Sequence, residues 1–228
     1  MKITKRPKWI WRVLIVAGLA LLIQVPPVIL LFIRHTSTVP IQLTGWMIIY
    51  ILIFALIIYW SCHTYFKYRR WQPQQQTFIQ HLKWIIGGWL LVIGGEQILN
   101  LLNYLIYHQT ETANNQIIAH LLSSNHVVLI IMSFAAVVLN PIAEELIFRG
   151  VVMNFFFNDD AFWLPILLSG ILFTLEHSST TLISYLIYFY LGSVFAFIYR
   201  KTGNLTNTIW LHALNNLIAL SALLGTMK

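Results

Sequence analysis

Seven apolar stretches alternate with short polar ones along the chain, at roughly 13–33, 43–61, 84–107, 123–157, 162–178, 181–199 and 205–224. About 20 apolar residues cross a bilayer, so each reads as a span or near-span. Backbone groups in lipid must be bonded within their own segment, which makes helices the default. The fourth stretch is long enough to project beyond one membrane face, and the fifth is short. The pattern predicts an all-α, polytopic membrane helical bundle of about seven transmembrane helices. No internal repeat is evident, and QPQQQ at 72–76 is the main low-complexity tract.

Composition sharpens this picture. Of the 228 residues, 58% are hydrophobic and 9% charged, against about 25% charged in ordinary soluble domains. A soluble fold would lack the polar surface to cover itself. The formal net charge is +7, but the basic residues are clustered. Lys2, Lys5, Arg6, Lys8 and Arg12 precede or open the first apolar run, and Lys67, Arg69, Arg70 and Lys83 flank the loop after the second. Basic residues beside spans mark cytoplasmic loops, a better account of the charge than nucleic-acid binding. The N-terminus and loop 62–83 are therefore expected inside, with loops 34–42 and 108–122 outside. Arg200 and Lys201 place the sixth-to-seventh connection inside, and Lys228 disagrees mildly with an outside C-terminus. The first apolar run reads as a retained span, since no small-x-small cleavage pattern follows it. The single Cys62 excludes an intramolecular disulfide and a cysteine-rich metal site.

Against this background LNPIAEELIFRG, residues 139–150, stands out: two glutamates and an arginine inside an apolar run. Residues four apart on a helix share a face, so Glu145 and Arg149 can neutralise each other, with the acid N-terminal. Glu144 points about 100° away and has Phe148 four residues on. One carboxylate thus reads as structural and the other as available. Asn140–Pro141 resembles an N-cap followed by proline at the first helical position, where the helix would restart or kink. FTLEH ends the fifth stretch with Glu176 and His177, and WLHALNN places His212, Asn215 and Asn216 in the seventh. Glu144 and His177 lie about equally far from the Asn158–Asp160 turn, roughly 25 Å along each helix. His212 lies about 15 Å past the turn at Lys201–Gly203. One shared site containing Glu144, His177, His212 and Asn216 is geometrically allowed. Glu96, in GGEQILN of the third stretch, reads equally as a packing contact, a proton relay or a histidine partner.

Ionisable residues inside a membrane are functional candidates by default. A carboxylate in a low-dielectric cavity can act as general base for water, and a neutral histidine can share that water. Histidine and asparagine side chains can donate to an oxyanion. Together they would hydrolyse a peptide bond without a covalent intermediate. No nucleophile elbow and no HExxH motif is present, because LEHSS lacks the second histidine. Glu144, His177 and His212 also match a His₂Glu zinc set, the competing reading. Against zinc, Glu176 is poorly aimed to support its neighbour His177, and His212 has only asparagine and apolar neighbours in sequence. A metal-independent enzyme without a cofactor is the expectation.

These motifs resemble a known family. EELIFR, Glu144 to Arg149, is similar to the EExxxR motif of the CPBP intramembrane proteases, which include the Rce1-type CAAX prenyl proteases and bacterial Abi-type proteins. Phe173 and His177 match FxxxH, and His212 and Asn216 match HxxxN. The three occur in the family's order over residues 123–224, and the first three spans carry no motif. The chain therefore divides into N-terminal transmembrane helices, 1–115, and a motif-bearing protease core, 116–228. The resemblance implies that Glu144 and His177 activate water, that His212 and Asn216 stabilise the oxyanion, and that Glu145 and Arg149 support them. It implies an intramembrane endopeptidase acting on a membrane-embedded or lipid-associated peptide or protein. Roles in bacteriocin self-immunity or peptide processing are known among small bacterial members, and a bacterial plasma membrane is expected. Two rival classes remain: a non-catalytic immunity or binding protein on the same fold, and a proton-coupled transporter using Glu96, Glu144 and the histidines. The absence of a repeated half with broken helices weakens the transporter reading.

Overall fold

The structure is a computed structural model and describes residues 5–36 and 39–226; Lys2 and Lys228 lie outside the described residues. It is helical, with no strand among those residues. Nine helices follow one another among the described residues: α1 Trp9–Ile23, α2 Val25–Thr36, α3 Pro40–Tyr68, α4 Phe78–Tyr107, α5 Ala113–Leu122, α6 His126–Phe156, α7 Trp163–Leu175, α8 Leu182–Thr202 and α9 Leu205–Thr226.

The protein is a multi-pass membrane protein. Six segments among the described residues are long and apolar enough to cross a bilayer: α1 with α2 taken together, α3, α4, α6, α8 and α9. The seventh expected span differs. α7 has 13 residues, about 20 Å at 1.5 Å per residue, against a hydrocarbon core of about 30 Å. It is therefore too short to cross by itself, and Phe173 and Thr174 near its C-terminus are buried in the bundle. The stretch 108–122, expected as a loop, contains α5. Its N-cap Thr112 accepts from the Asn115 N–H, the local bond that starts a short helix where periodicity gives no signal.

Loops gather at two ends. At one, Arg6 and Arg12 donate to carbonyls of Phe157 and Phe155, Arg200 donates to Ala161, and Gln74 donates to Thr202. At the other, Asn125 donates to the Arg34 carbonyl, Asn114 to Ser178, and Gln109 to Thr180. This segregation matches the alternation of basic and non-basic loops in the sequence.

α8 is the most buried span and packs against α7, α4 and α9. The α7–α8 approach depends on glycine. A Cβ on Gly192 would sit 2.9 Å from Phe173 Cβ and 3.1 Å from Gly170 Cα. Small residues let membrane helices approach closely when no hydrophobic force drives them together. That approach brings Phe173 and the Gly192 carbonyl to the centre of the bundle.

α6 does not restart at Asn140. The cap position is Leu139, itself helical, and no side chain caps it. Instead the helix widens into π turns at Ala135–Leu139 and Leu146–Val152. Pro141 has no N–H and disturbs the bond of the preceding turn. The wider turn absorbs this, with the Asn140 N–H reaching the Ala135 carbonyl. π turns of this kind re-aim side chains without ending a helix.

Candidate active site

The second π turn carries Arg149 into the core, where it is fully buried. Its Nη1 donates to Glu145 Oε1 at 2.8 Å and its Nη2 to the Gly192 carbonyl at 2.8 Å. Its guanidinium lies 4.7 Å from the Phe173 ring centroid and 5.3 Å from that of Phe195. A buried charge is tolerated only when paired and bonded, and here a carboxylate, a carbonyl and two ring faces meet most of that demand, with Nε alone left without a partner among the described residues. The Glu145–Arg149 pair expected from their spacing is made.

Glu145 does a second thing that its spacing did not suggest. The same Oε1 accepts from His212 Nδ1 at 3.0 Å. His212 is buried, with its ring stacked on Phe195 at 4.8 Å. The expectation that His212 has only asparagine and apolar neighbours is thus corrected: interhelical packing of α9 against α6 supplies a carboxylate that local sequence could not show. A carboxylate only accepts, so Nδ1 carries the proton and Nε2 is left for other partners. That Nε2 lies 3.9 Å from Glu144 Oε2, beyond direct hydrogen-bond reach.

Glu144 is treated differently from its neighbour. It lines a cavity of about 350 Å³, and its Oε2 is buried with no hydrogen-bond partner among the described residues. The ~100° step between adjacent helical residues sends Glu145 into the core and Glu144 into this space.

His177 follows the end of α7. Its Nδ1 bonds the Phe173 carbonyl at 2.8 Å, and its ring stacks on Tyr188 at 4.4 Å. A carbonyl only accepts, so Nδ1 is the protonated nitrogen and Nε2 keeps its lone pair. Asn216 Nδ2 donates to the Ala136 carbonyl at 2.8 Å, inside the first π turn. One of its two N–H bonds is thereby fixed and the other left over. Glu176 turns away from His177 and accepts from Gln24 at the α1–α2 junction.

Glu144, His177, His212 and Asn216 all line the one cavity. Glu145 and Arg149 sit behind them in the core. Sequence reasoning did not place Glu96, Tyr188 or Thr112 there, yet they also line it. Tyr188 and Thr112 are joined by a 2.7 Å hydroxyl bond. Glu96 was singled out only for its charge, and nothing in its local sequence indicates which neighbour it faces. For zinc, the donor set does not fit: among the described residues no three His, Cys, Asp or Glu side chains are grouped to hold a metal ion.

Known proteins give the following. Residues 126–218 match the family model described as "Type II CAAX prenyl endopeptidase Rce1-like". A Bacillus subtilis (strain 168) protein named "Putative membrane peptidase YdiL" is 25% identical over 144 residues, 63% of this chain and 57% of that relative. The match thus spans less than two thirds of the relative's length. No solved structure gives a significant match. At family level these likenesses support a membrane protease.

Proposed function

Residues 126–218 match an Rce1-like family model, and on that likeness we propose that the chain is an intramembrane endopeptidase that hydrolyses a peptide bond with a glutamate-activated water. The observation that carries this reading is the contrast of adjacent carboxylates at one cavity. Glu145 is locked through Oε1 by Arg149 and His212 in the core, its Oε2 left without a partner, while Glu144 makes no side-chain hydrogen bond to any described residue and opens onto the cavity beside His177, His212 and Asn216.

In this reaction Glu144 takes a proton from water, and the oxygen attacks the scissile carbonyl carbon. His177 Nε2 accepts from the same water and holds it. The developing oxyanion is met by the free N–H of Asn216 and by His212 Nε2. With Nδ1–H on Glu145, His212 donates from Nε2 only as imidazolium, and Glu145 is placed to balance that charge, as the acid of a Ser-His-Asp triad does. The tetrahedral intermediate then collapses, the C–N bond breaks, and Glu144 returns its proton to the leaving amine. No metal enters these steps. The substrate is a membrane-embedded or lipid-associated peptide, the setting is a bacterial plasma membrane with the basic end cytoplasmic, and bacteriocin self-immunity or peptide processing is the biological context.

The test is cleavage of membrane-inserted peptides by purified wild type and Glu144→Gln, each with and without prolonged chelation. The reading expects turnover by wild type in chelator and none by the variant. Activity lost on chelation and restored by zinc reassigns Glu144, His177 and His212 as ligands. A cellular phenotype that persists in Glu144→Gln favours the non-catalytic binding protein.

A further inference from the structure

At the end of the bundle opposite the α5 helix, arginines far apart in sequence come together. Arg6 stands before α1, Arg12 lies in its first turns, and Arg69 and Arg70 follow the C-terminus of α3. All four are half-buried. Arg6 donates to the Phe157 carbonyl and, at 3.5 Å, to Asn158 Oδ1. Arg12 donates to the carbonyls of Pro7 and Phe155 at 2.8 and 2.9 Å. The Arg70 backbone N–H is held by Asn154 Oδ1 at 2.6 Å, which fixes where the Arg69–Arg70 pair leaves α3. The chain thus spends several backbone bonds on holding cations side by side.

Among the described residues none of the four makes an ion pair with a carboxylate, and Asp159 acts on Arg6 only from beyond ion-pair distance. The Nε atoms of Arg6, Arg69 and Arg70 are buried with no hydrogen-bond partner among the described residues, as is the indole Nε1 of the adjacent, buried Trp71. The cations feel one another: burial first, then Arg70 and Arg12, push the Arg6 guanidinium down to about 10, with Asp159 offsetting part of this. Like charges held together with unfilled donors are an incomplete electrostatic arrangement. Planar guanidinium forks are matched best by phosphate and carboxylate oxygens.

Depth says which oxyanion is at hand. The exposed Trp9 and Trp11 open α1 beside the cluster, and exposed Phe66 lies on the last turn of α3. Exposed tryptophans at span ends mark the headgroup level of a bilayer.

We propose that Arg6, Arg12, Arg69 and Arg70 form a binding site for a phosphate-class anion, filled in the membrane by the headgroup of an anionic phospholipid. The site lies outside the catalytic cavity and stands whether or not the chain is a peptidase. It differs from a general attraction of basic loops to anionic lipid because it depends on fork-shaped donors at fixed positions rather than on net charge.

The experiment uses the full chain in a neutral detergent and follows its melting midpoint as phosphatidylglycerol, phosphatidylcholine or inorganic phosphate is added at equal phosphate concentration. Phosphatidylglycerol is expected to stabilise the wild type, and the double variant Arg69→Gln/Arg70→Gln to bind it about tenfold more weakly, the loss expected for charge-assisted bonds. Lys83→Gln, which removes one exposed cation outside the cluster, is expected to bind as the wild type does. An equal response to inorganic phosphate keeps the site but assigns it to a free anion rather than a lipid. Equal responses to the two lipids, or a double variant that binds as tightly as Lys83→Gln, overturn the proposal. Should the double variant fail to fold, Arg70→Lys keeps the charge and removes the fork. Weaker phosphatidylglycerol retention by Arg70→Lys than by wild type in native mass spectrometry supports the site, and equal retention overturns it.

Discussion

On the wall of the cavity built by α6, α7 and α9, His177, His212 and Asn216 each have a fixed hydrogen-bond partner, and Glu144 is set off by the locked pair behind it. On the wall built by α4, Glu96 and Asn100 line the same space without a side-chain hydrogen bond to any described residue. The first wall is preorganised and the second is not. Groups that act on developing charge gain most from preorganisation, because no reorganisation is then needed during reaction. Groups that only meet a substrate can adapt to it. Under the proposed reaction, this difference places the chemistry on the three motif helices and the accommodation of substrate on the earlier ones.

The comparison breaks most sharply at Glu144. Glu144→Gln nearly keeps the shape but cannot accept a proton, so turnover should fall by about 10²- to 10⁴-fold with normal membrane insertion. Near-normal cleavage by this variant removes the general base. Next comes its neighbour. Glu145→Gln leaves Arg149 buried without its carboxylate and frees His212, which should cost about 3–5 kcal/mol of stability. A melting midpoint equal to that of wild type contradicts the supporting role.

Asn216→Ala probes the same wall more gently. Loss of one oxyanion donor costs roughly 10²- to 10³-fold in kcat, and loss of the Ala136 bond costs about 1 kcal/mol of stability. Full kcat with lowered stability would make Asn216 a strut for the π turn and nothing more. Gly192→Leu tests the scaffold behind the wall. Its side chain meets Phe173 and the Gly170 backbone, so an overpacking cost of about 1–3 kcal/mol is expected, seen as a lower melting midpoint. The smallest effect belongs to the other wall. Glu96→Gln should alter KM before kcat, the pattern of a lost binding contact. A kcat loss as large as that of Glu144→Gln erases the distinction between the walls.

Much of this was legible in advance, for identifiable reasons. Apolar length alone separated the spans, because a bilayer demands about 20 such residues. The Glu145–Arg149 pair followed from helical spacing, and so did the outward aim of Glu144. α7 was already short in sequence, although the burial of Phe173 and Thr174 near its end emerged only with the other helices in place. Asn140–Pro141 points to a restart or a kink because cap and proline signals are local. The helix instead keeps going by widening into a π turn, an option that sequence periodicity does not distinguish.

By itself the sequence determined which segments enter the membrane, which ionisable residues enter with them, and which of these share a helical face. These are properties of a single helix and its solvent. Tertiary structure alone decided that Glu145 serves both Arg149 and His212, that Asn216 leans on the Ala136 carbonyl, and that Glu96 opens onto the same cavity as Glu144. Each is a contact between helices. It depends on their rotation and crossing, which are set by close approaches such as Gly170 on Gly192 and by the whole set of packed neighbours.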